Sequence, residues 1–258
     1  MFLVLYFPSL SLFNYNAMRL NRFIGNFDLS KKEMSTNDTD FINQAKNVLR
    51  LKAGDKLILC DGNLNEAVAE IVNLNKESAE LKILEIYKNK KEPASPAGGS
   101  ENYVVLYCPI LKKENFEWAV QKAVEVGMKE ITPIITARTV KLGLNRERLE
   151  KIIKEAAEQS GRGILPKLNE AIIFDEALKS AEENDLNLFF QAGYPPLGHS
   201  MSKFEKIGVF VGPEGGWTEE EIKKAQSSNG FTIVGLGKTV LRAETAVVIA
   251  SYQTINLC

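Results

Sequence analysis

From residue 101 to the carboxyl terminus, short apolar runs alternate with stretches of helical spacing, and this alternation restricts the fold more than any other feature of the chain. Tyr103 to Cys108 reads as a strand, Lys113 to Val126 as a helix through Phe116, Val120, Ala123 and Val124, and Glu130 to Thr136 as a strand. Arg146 to Ser160 follows as an amphipathic helix. Leu186 to Phe190 and Ile207 to Val211 are strands, Thr218 to Gln226 a helix, Phe231 to Val234 a strand and Ala243 to Gln253 a final helix. Strands that alternate with helices make βαβ units, so the order predicts an α/β domain with a mostly parallel sheet. In such sheets ligands bind at the carboxyl ends of strands, where loops enter helices.

The residues before 90 have another rhythm. Lys56 to Cys60 is an apolar run stopped by Asp61-Gly62-Asn63, a hairpin turn. Glu66 to Val72 alternates, with Ala67, Ala69 and Ile71 on one face, and Ala79 to Tyr87 follows with Leu81, Ile83 and Ile86. Several strands at this spacing predict a small β-barrel over 18–90. Residues 91–100, rich in Pro, Gly and Ser, read as a linker, which leaves 101–258 as the second domain. Residues 1–17 carry no charge, but they are too short and Pro-interrupted for a membrane span and lack the basic start of a signal peptide. MRLNRFIG from Met18 resembles a natural start, so translation is expected to begin there, with 1–17 a non-native or mis-annotated extension; the alternative is a genuine strand or anchor. Cys60, Cys108 and Cys258 are odd in number and show no CxxC spacing, which excludes a disulfide framework or a zinc site and points to a cytoplasmic protein. With 32 Lys and Arg against 33 Asp and Glu, the chain is no polycation, and any nucleic-acid binding must use a local patch.

Two loops carry the candidate chemistry. Val211-Gly212-Pro213-Glu214-Gly215-Gly216-Trp217-Thr218 leads from a strand to a helix that Thr218 and Glu221 start as a capping box. Its glycines permit close backbone approach to a ligand, and Pro213 stiffens the turn. The second loop, Gly235-Leu236-Gly237-Lys238-Thr239-Val240-Leu241-Arg242-Ala243-Glu244, holds decoys. Gly237-Lys238-Thr239 ends like a Walker A loop, but the required first glycine is Thr232; a dinucleotide fingerprint from Gly235 fails at Val240, and one from Gly161 fails at Pro166. Arg242 and Glu244, at the mouth of an apolar helix, must pair or meet a ligand.

GPEGGWTEEEI at 212–222 and LGKTVLRAETA at 236–246 resemble the RsmE family of SPOUT-class methyltransferases. The resemblance extends upstream through MRLNRFI at 18–24, VLRLKAGDKLILCDG at 48–62, WAVQKAVEVGMKEITPIITART at 118–139 and EAAEQSGR at 155–162. It departs at Asn47, where histidine is common, and at Ala243, where threonine is usual. It implies an amino-terminal PUA-like RNA-binding barrel, a carboxyl-terminal SPOUT domain with a trefoil knot, and a homodimer. The implied activity is methylation of N3 of a uridine in 16S ribosomal RNA, on the 30S subunit, with S-adenosylmethionine as cofactor. The alternatives are a related enzyme acting on another RNA site, or a non-catalytic RNA-binding protein on the same scaffold.

The implied roles fall on specific residues. Arg242 is expected to stabilise charge on a uracil oxygen, with Glu244, then Glu214, as proton acceptor or partner. The cofactor is expected at Val211, Gly212, Gly215 and Gly216, at Leu236, Gly237, Val240 and Leu241, and at Gln191, Ala192 and Gly193, which close the pocket. RNA phosphates are expected to meet Arg19, Arg22, Arg50, Arg138 and Arg162, with a helix-end role as the alternative for Arg162. The sole histidine, His199, lies in a Pro/Gly-rich loop and is expected to be solvated.

Overall fold

A computed structural model describes residues 20–88, 102–112, 114–140, 143–198 and 204–257. The expected extension at 1–17, Arg19, the linker at 91–100 and His199 lie outside these residues. The chain divides into two compact units, residues 1–90 and 91–258.

The first unit holds β1 (Asn21–Ile24), β2 (Glu33–Thr36), α1 (Thr39–Asn43, continued by a π-helical turn at Gln44–Val48), β3 (Lys56–Cys60), β4 (Glu66–Leu74) and β5 (Ala79–Tyr87). They form one sheet in the order β1-β3-β4-β5-β2, with β1 parallel to β3 and the other pairs antiparallel. The β3–β4 turn is set by Asp61, whose Oδ1 accepts from Asn63 N at 2.7 Å and from Asn65 N at 3.2 Å. Ala67, Ala69 and Ile71 of β4 are all fully buried, as the alternation requires. Register shifts at Val68/Ala69 and Ile71/Asn73 interrupt its pairing with β5, the kind of irregularity that bends a sheet around its core. Phe23, Phe41, Leu57, Leu59 and Leu81 fill that core.

The second unit runs β6 (Tyr103–Pro109), α2 (Asn115–Val126), β7 (Glu130–Ile135), α3 (Arg146–Ser160), β8 (Lys167–Leu168), β9 (Ile172–Ile173), α4 (Phe174–Ser180), β10 (Leu186–Phe190), β11 (Lys206–Val211), α5 (Glu219–Ser227), β12 (Phe231–Val234) and α6 (Ala243–Leu257). Its strands are ordered β12-β10-β11-β6-β7-β8, with β9 also on β7, and every pairing is parallel. The central strands are buried on both sides, as parallel strands covered by helices must be: Leu188, Phe189, Val209 and Phe210 have no exposed surface. Tyr107 stacks on Phe210 with centroids 4.2 Å apart, and Phe189 packs on Trp217 at 4.4 Å. α2 and α3 stop at Gly127 and Gly161, whose φ of +111° and +80° is the left-handed conformation that ends a helix. Sequence reasoning assigned no element between 161 and 185, where β8, β9 and α4 lie.

Arg162, just past α3, is only 4% exposed and its Nη1 donates to the carbonyls of Val124 at 3.1 Å and Met128 at 2.6 Å. This corrects its expected contact with RNA phosphate: the buried guanidinium braces the carboxyl end of α2 against the turn that follows it, where a cation is favoured by the helix dipole. Arg162→Ala removes both hydrogen bonds from this buried charged donor at about 1–3 kcal/mol, so melting is expected about 2–12 °C lower. The salt dependence of RNA binding should not change; a shallower salt slope at unchanged stability would restore the phosphate role.

Candidate active site

Beyond the ends of β10, β11 and β12 lies a cavity of about 790 Å³, within the size range of small-molecule sites. Both glycine loops wall it. Val211, Gly212, Glu214, Gly215 and Gly216 come from the loop after β11, and Leu236, Gly237, Val240 and Leu241 from the loop after β12. Gln191 and Ala192, past β10, complete the ring, and Arg242 and Glu244 stand at the start of α6. Gly193, also expected at the cofactor, is not among the residues that line the cavity and stands with φ at +85° in the turn beyond Ala192.

The first loop is rigid for visible reasons. Gly216 N donates back to Pro213 O at 2.8 Å, and Gly216 has φ of +68°. Trp217, 4% exposed, turns under the loop and donates from Nε1 to Phe190 O at 3.1 Å, tying it to the end of β10. A side chain at position 212 would press on that indole, whose Nε1 lies 3.1 Å from where a Cβ would stand. The capping box forms: Glu221 Oε2 accepts from Thr218 N at 2.8 Å, and Thr218 Oγ1 accepts from Glu221 N at 3.2 Å.

The charged groups divide by exposure. Arg242 Nη1 lies 4.0 Å from Glu244 Oε1; the arginine side chain is 86% exposed and the glutamate 14%. Glu214 Oε1 accepts from Lys112 N at 2.8 Å and so fastens its loop to the chain leaving β6. Lys112, Asn115 and Thr239 also line the cavity, and sequence reasoning missed them. The signal for the first two was available: they follow the carboxyl end of a central parallel strand, where ligands are expected. Burial, followed by the charge of Glu214, pushes the Cys108 thiol far up, so it stays protonated and takes no part as a nucleophile.

The arginines expected at RNA separate. In the first unit, Arg22 is turned inward onto Glu66 and donates to Cys60 Sγ at 3.1 Å, with its side chain only 11% exposed. That corrects its assignment to RNA, because a guanidinium engaged inside the sheet has little surface for a phosphate. Arg50 is exposed and has a left-handed φ of +56°. Arg138 is exposed but its Nη1 donates to Gly215 O at 2.6 Å and to Trp217 O at 3.2 Å, inside the cavity loop.

A family model for an RNA methyltransferase domain matches residues 100–254, and a model for an RNA methyltransferase PUA domain matches 45–84. Ribosomal RNA small subunit methyltransferase E of Bacillus subtilis is 30% identical over 228 residues, covering 81% of this chain and 86% of that protein. The protein of the same name from Rickettsia conorii is 30% identical over 245 residues, covering 93% and 94%. Among solved structures, a ribosomal RNA small subunit methyltransferase E from Neisseria gonorrhoeae bound to S-adenosyl methionine superposes with a TM-score of 0.79 at 32% identity, covering 91% of this chain and 97% of that one. A parallel α/β unit with two glycine loops around one cavity, matched over most of its length by these relatives, places the chain in the RsmE family of RNA methyltransferases.

Proposed function

We propose that this chain transfers the methyl group of S-adenosylmethionine to N3 of a specific uridine in 16S ribosomal RNA. The observation that carries the reading is the cavity in which two strand-to-helix loops set glycine-rich backbone beside Arg242 and Glu244. Its residues fit the cofactor. Phe190, Val211, Leu236 and Leu241 offer apolar walls to an adenine ring, and Glu214 and Glu244 offer carboxylates to cationic groups. Gly212, Gly216 and Gly237 leave peptide edges open to hydrogen bonds with the adenosine. Bound there, the cofactor supplies an electrophilic methyl group on a sulfonium that departs as a neutral thioether.

The chain's own groups manage the uridine. N3 carries a weakly acidic proton that must leave before or as its electron pair attacks. Arg242, free in solvent, reaches a uracil carbonyl oxygen and stabilises the negative charge spreading onto it. Glu244 accepts the N3 proton, because Glu214 is already committed to the Lys112 amide. Because N3 is engaged in Watson–Crick pairing, the base enters unpaired.

The same reading assigns residues 18–90 to a PUA-like RNA-binding barrel, 91–100 to a linker and 101–258 to the SPOUT domain. The trefoil knot is supported by the path of the chain. β12 is the edge strand, yet α6, the next element, packs against α2, β6 and β11, so the segment between crosses the carboxyl ends of β10 and β11. There Gly235 N donates to Pro195 O at 2.7 Å. A homodimer, a 30S substrate and a cytoplasmic location complete the reading. Trp118 on α2 and Tyr252 on α6, 43% and 55% exposed, leave aromatic surface for a second copy. No helix among the described residues is long and apolar enough to cross a membrane.

Incubation with labelled S-adenosylmethionine and unmethylated 30S particles, followed by nucleoside mapping, tests the reading. One 3-methyluridine in 16S ribosomal RNA is expected. Transfer to tRNA alone, or cofactor binding with no transfer to any RNA, overturns it.

A further inference from the structure

The turn after β7 grips the cavity loop with donors from two adjacent residues. Arg138 donates from one guanidinium nitrogen to the carbonyls of Gly215 at 2.6 Å and Trp217 at 3.2 Å. Its neighbour Ala137 donates its amide to Glu221 Oε1 at 2.9 Å, while the other oxygen of that carboxylate holds Thr218 N at 2.8 Å. Glu221 is only 5% exposed. The gripping turn is itself braced: Thr139 N donates to Thr136 O at 3.1 Å, and Thr136 N to Thr139 Oγ1 at 2.9 Å. Residues 215–221 are therefore held from outside the loop, by a turn that contributes nothing to the cavity lining.

We infer that Arg138 is a positioning residue for the cofactor: it holds the Gly215–Trp217 backbone in the shape that binds S-adenosylmethionine. The inference rests on the function proposed above and adds to it a residue that touches neither cofactor nor RNA. Arg138 fixes the carbonyls on either side of Gly216, the position with φ of +68°. Without it, two consecutive glycines leave that stretch many alternative conformations. The glycine at 215 also lets the arginine lie close, since a Cβ there would come within 3.2 Å of Arg138 Cδ. If losing the clamp cuts the binding-competent population to about a tenth, the apparent Kd rises about tenfold, because affinity scales with that population.

The competing role is a direct phosphate contact, which makes a different prediction. Arg138→Ala is to be compared with wild type by calorimetric titration with S-adenosylmethionine, by thermal melting without ligand, and by RNA affinity across a salt series. The expected result is a cofactor Kd raised about tenfold, little change in melting temperature for a substitution at the surface, and an unchanged RNA salt slope. In turnover the loss should fall on KM for the cofactor, with kcat nearly preserved. Arg138→Lys should recover part of the affinity, because an ammonium still donates to one carbonyl. A wild-type Kd in the alanine variant overturns the inference, as does a salt slope reduced by about one with cofactor binding intact. Wild-type protein that fails to bind S-adenosylmethionine at all overturns the proposed function itself, so the two failures are told apart in one titration.

Discussion

Arg242→Ala should lower methyl transfer to unmethylated 30S particles about 100- to 1,000-fold, the cost of removing one preorganised donor from a developing oxyanion. Cofactor affinity should stay within about twofold of wild type. The two effects separate because the guanidinium stands 86% exposed, 4.0 Å from Glu244, while the cavity walls are built of loop backbone and apolar side chains. Single-turnover rates at saturating cofactor, with binding measured in parallel, make the test. Loss of binding in step with the rate would move Arg242 into the cofactor site, and an unchanged rate would remove it from the chemistry. Glu244→Gln distinguishes the carboxylate's two possible tasks. A positioned general base contributes about 100-fold or more, whereas an amide can still hold Arg242 by a hydrogen bond. A rate within about tenfold of wild type would therefore leave Glu244 as a partner of the arginine and not as the base.

The candidate site was legible in the sequence because its loops depend on local residue types. Three glycines and a proline after a strand force a tight, backbone-exposing loop, and Thr218 with Glu221 three residues on marks where the next helix starts. Arg242 and Glu244 stood out as charges on an apolar helix, and in the structure they are neighbours. The parallel sheet was legible for the same reason: runs such as Leu186–Phe190 are long enough to show their burial. β1 and β9 were not, since a pair of apolar residues such as Phe23-Ile24 or Ile172-Ile173 has no measurable period. α4 buries Phe174, Ala177 and Leu178 at helical spacing, but over seven residues the pattern is too brief to stand out. The arginines were hardest. Arg22, Arg138 and Arg162 look alike in sequence, yet one pairs inside a sheet, one clamps a loop and one closes a helix. A long side chain's partner is fixed by tertiary packing, which no local pattern encodes.

Gly235 shows how a glycine that fails as a nucleotide motif is still required, and its replacement should be the more damaging of the loop changes. A Cβ at Gly235 would stand 2.1 Å from Tyr194 O and 3.0 Å from Tyr194 C, both backbone atoms that no rotamer change can move aside. Nor can the carbonyl segment withdraw freely, because Gly235 N donates to the adjacent Pro195 O at 2.7 Å and Gln191 N donates to Val234 O at 2.8 Å. Gly235→Ala must therefore drive apart the segment that carries Gln191 and Ala192 and the segment that carries Leu236, Gly237 and Leu241, both of which line the cavity. Overpacking of this kind costs about 1–3 kcal/mol. In a chain of this size that lowers the melting temperature by about 2–12 °C. Where the strain falls on the cofactor site, the same energy corresponds to a Kd for S-adenosylmethionine raised about 5- to 150-fold. Gly143→Ala is the control, since a Cβ there meets nothing within 4 Å and its φ is ordinary; neither quantity should change. If Gly235→Ala melts and binds like wild type, the 235–242 segment does not cross tightly past Tyr194, and the proposed knot loses one of its supports.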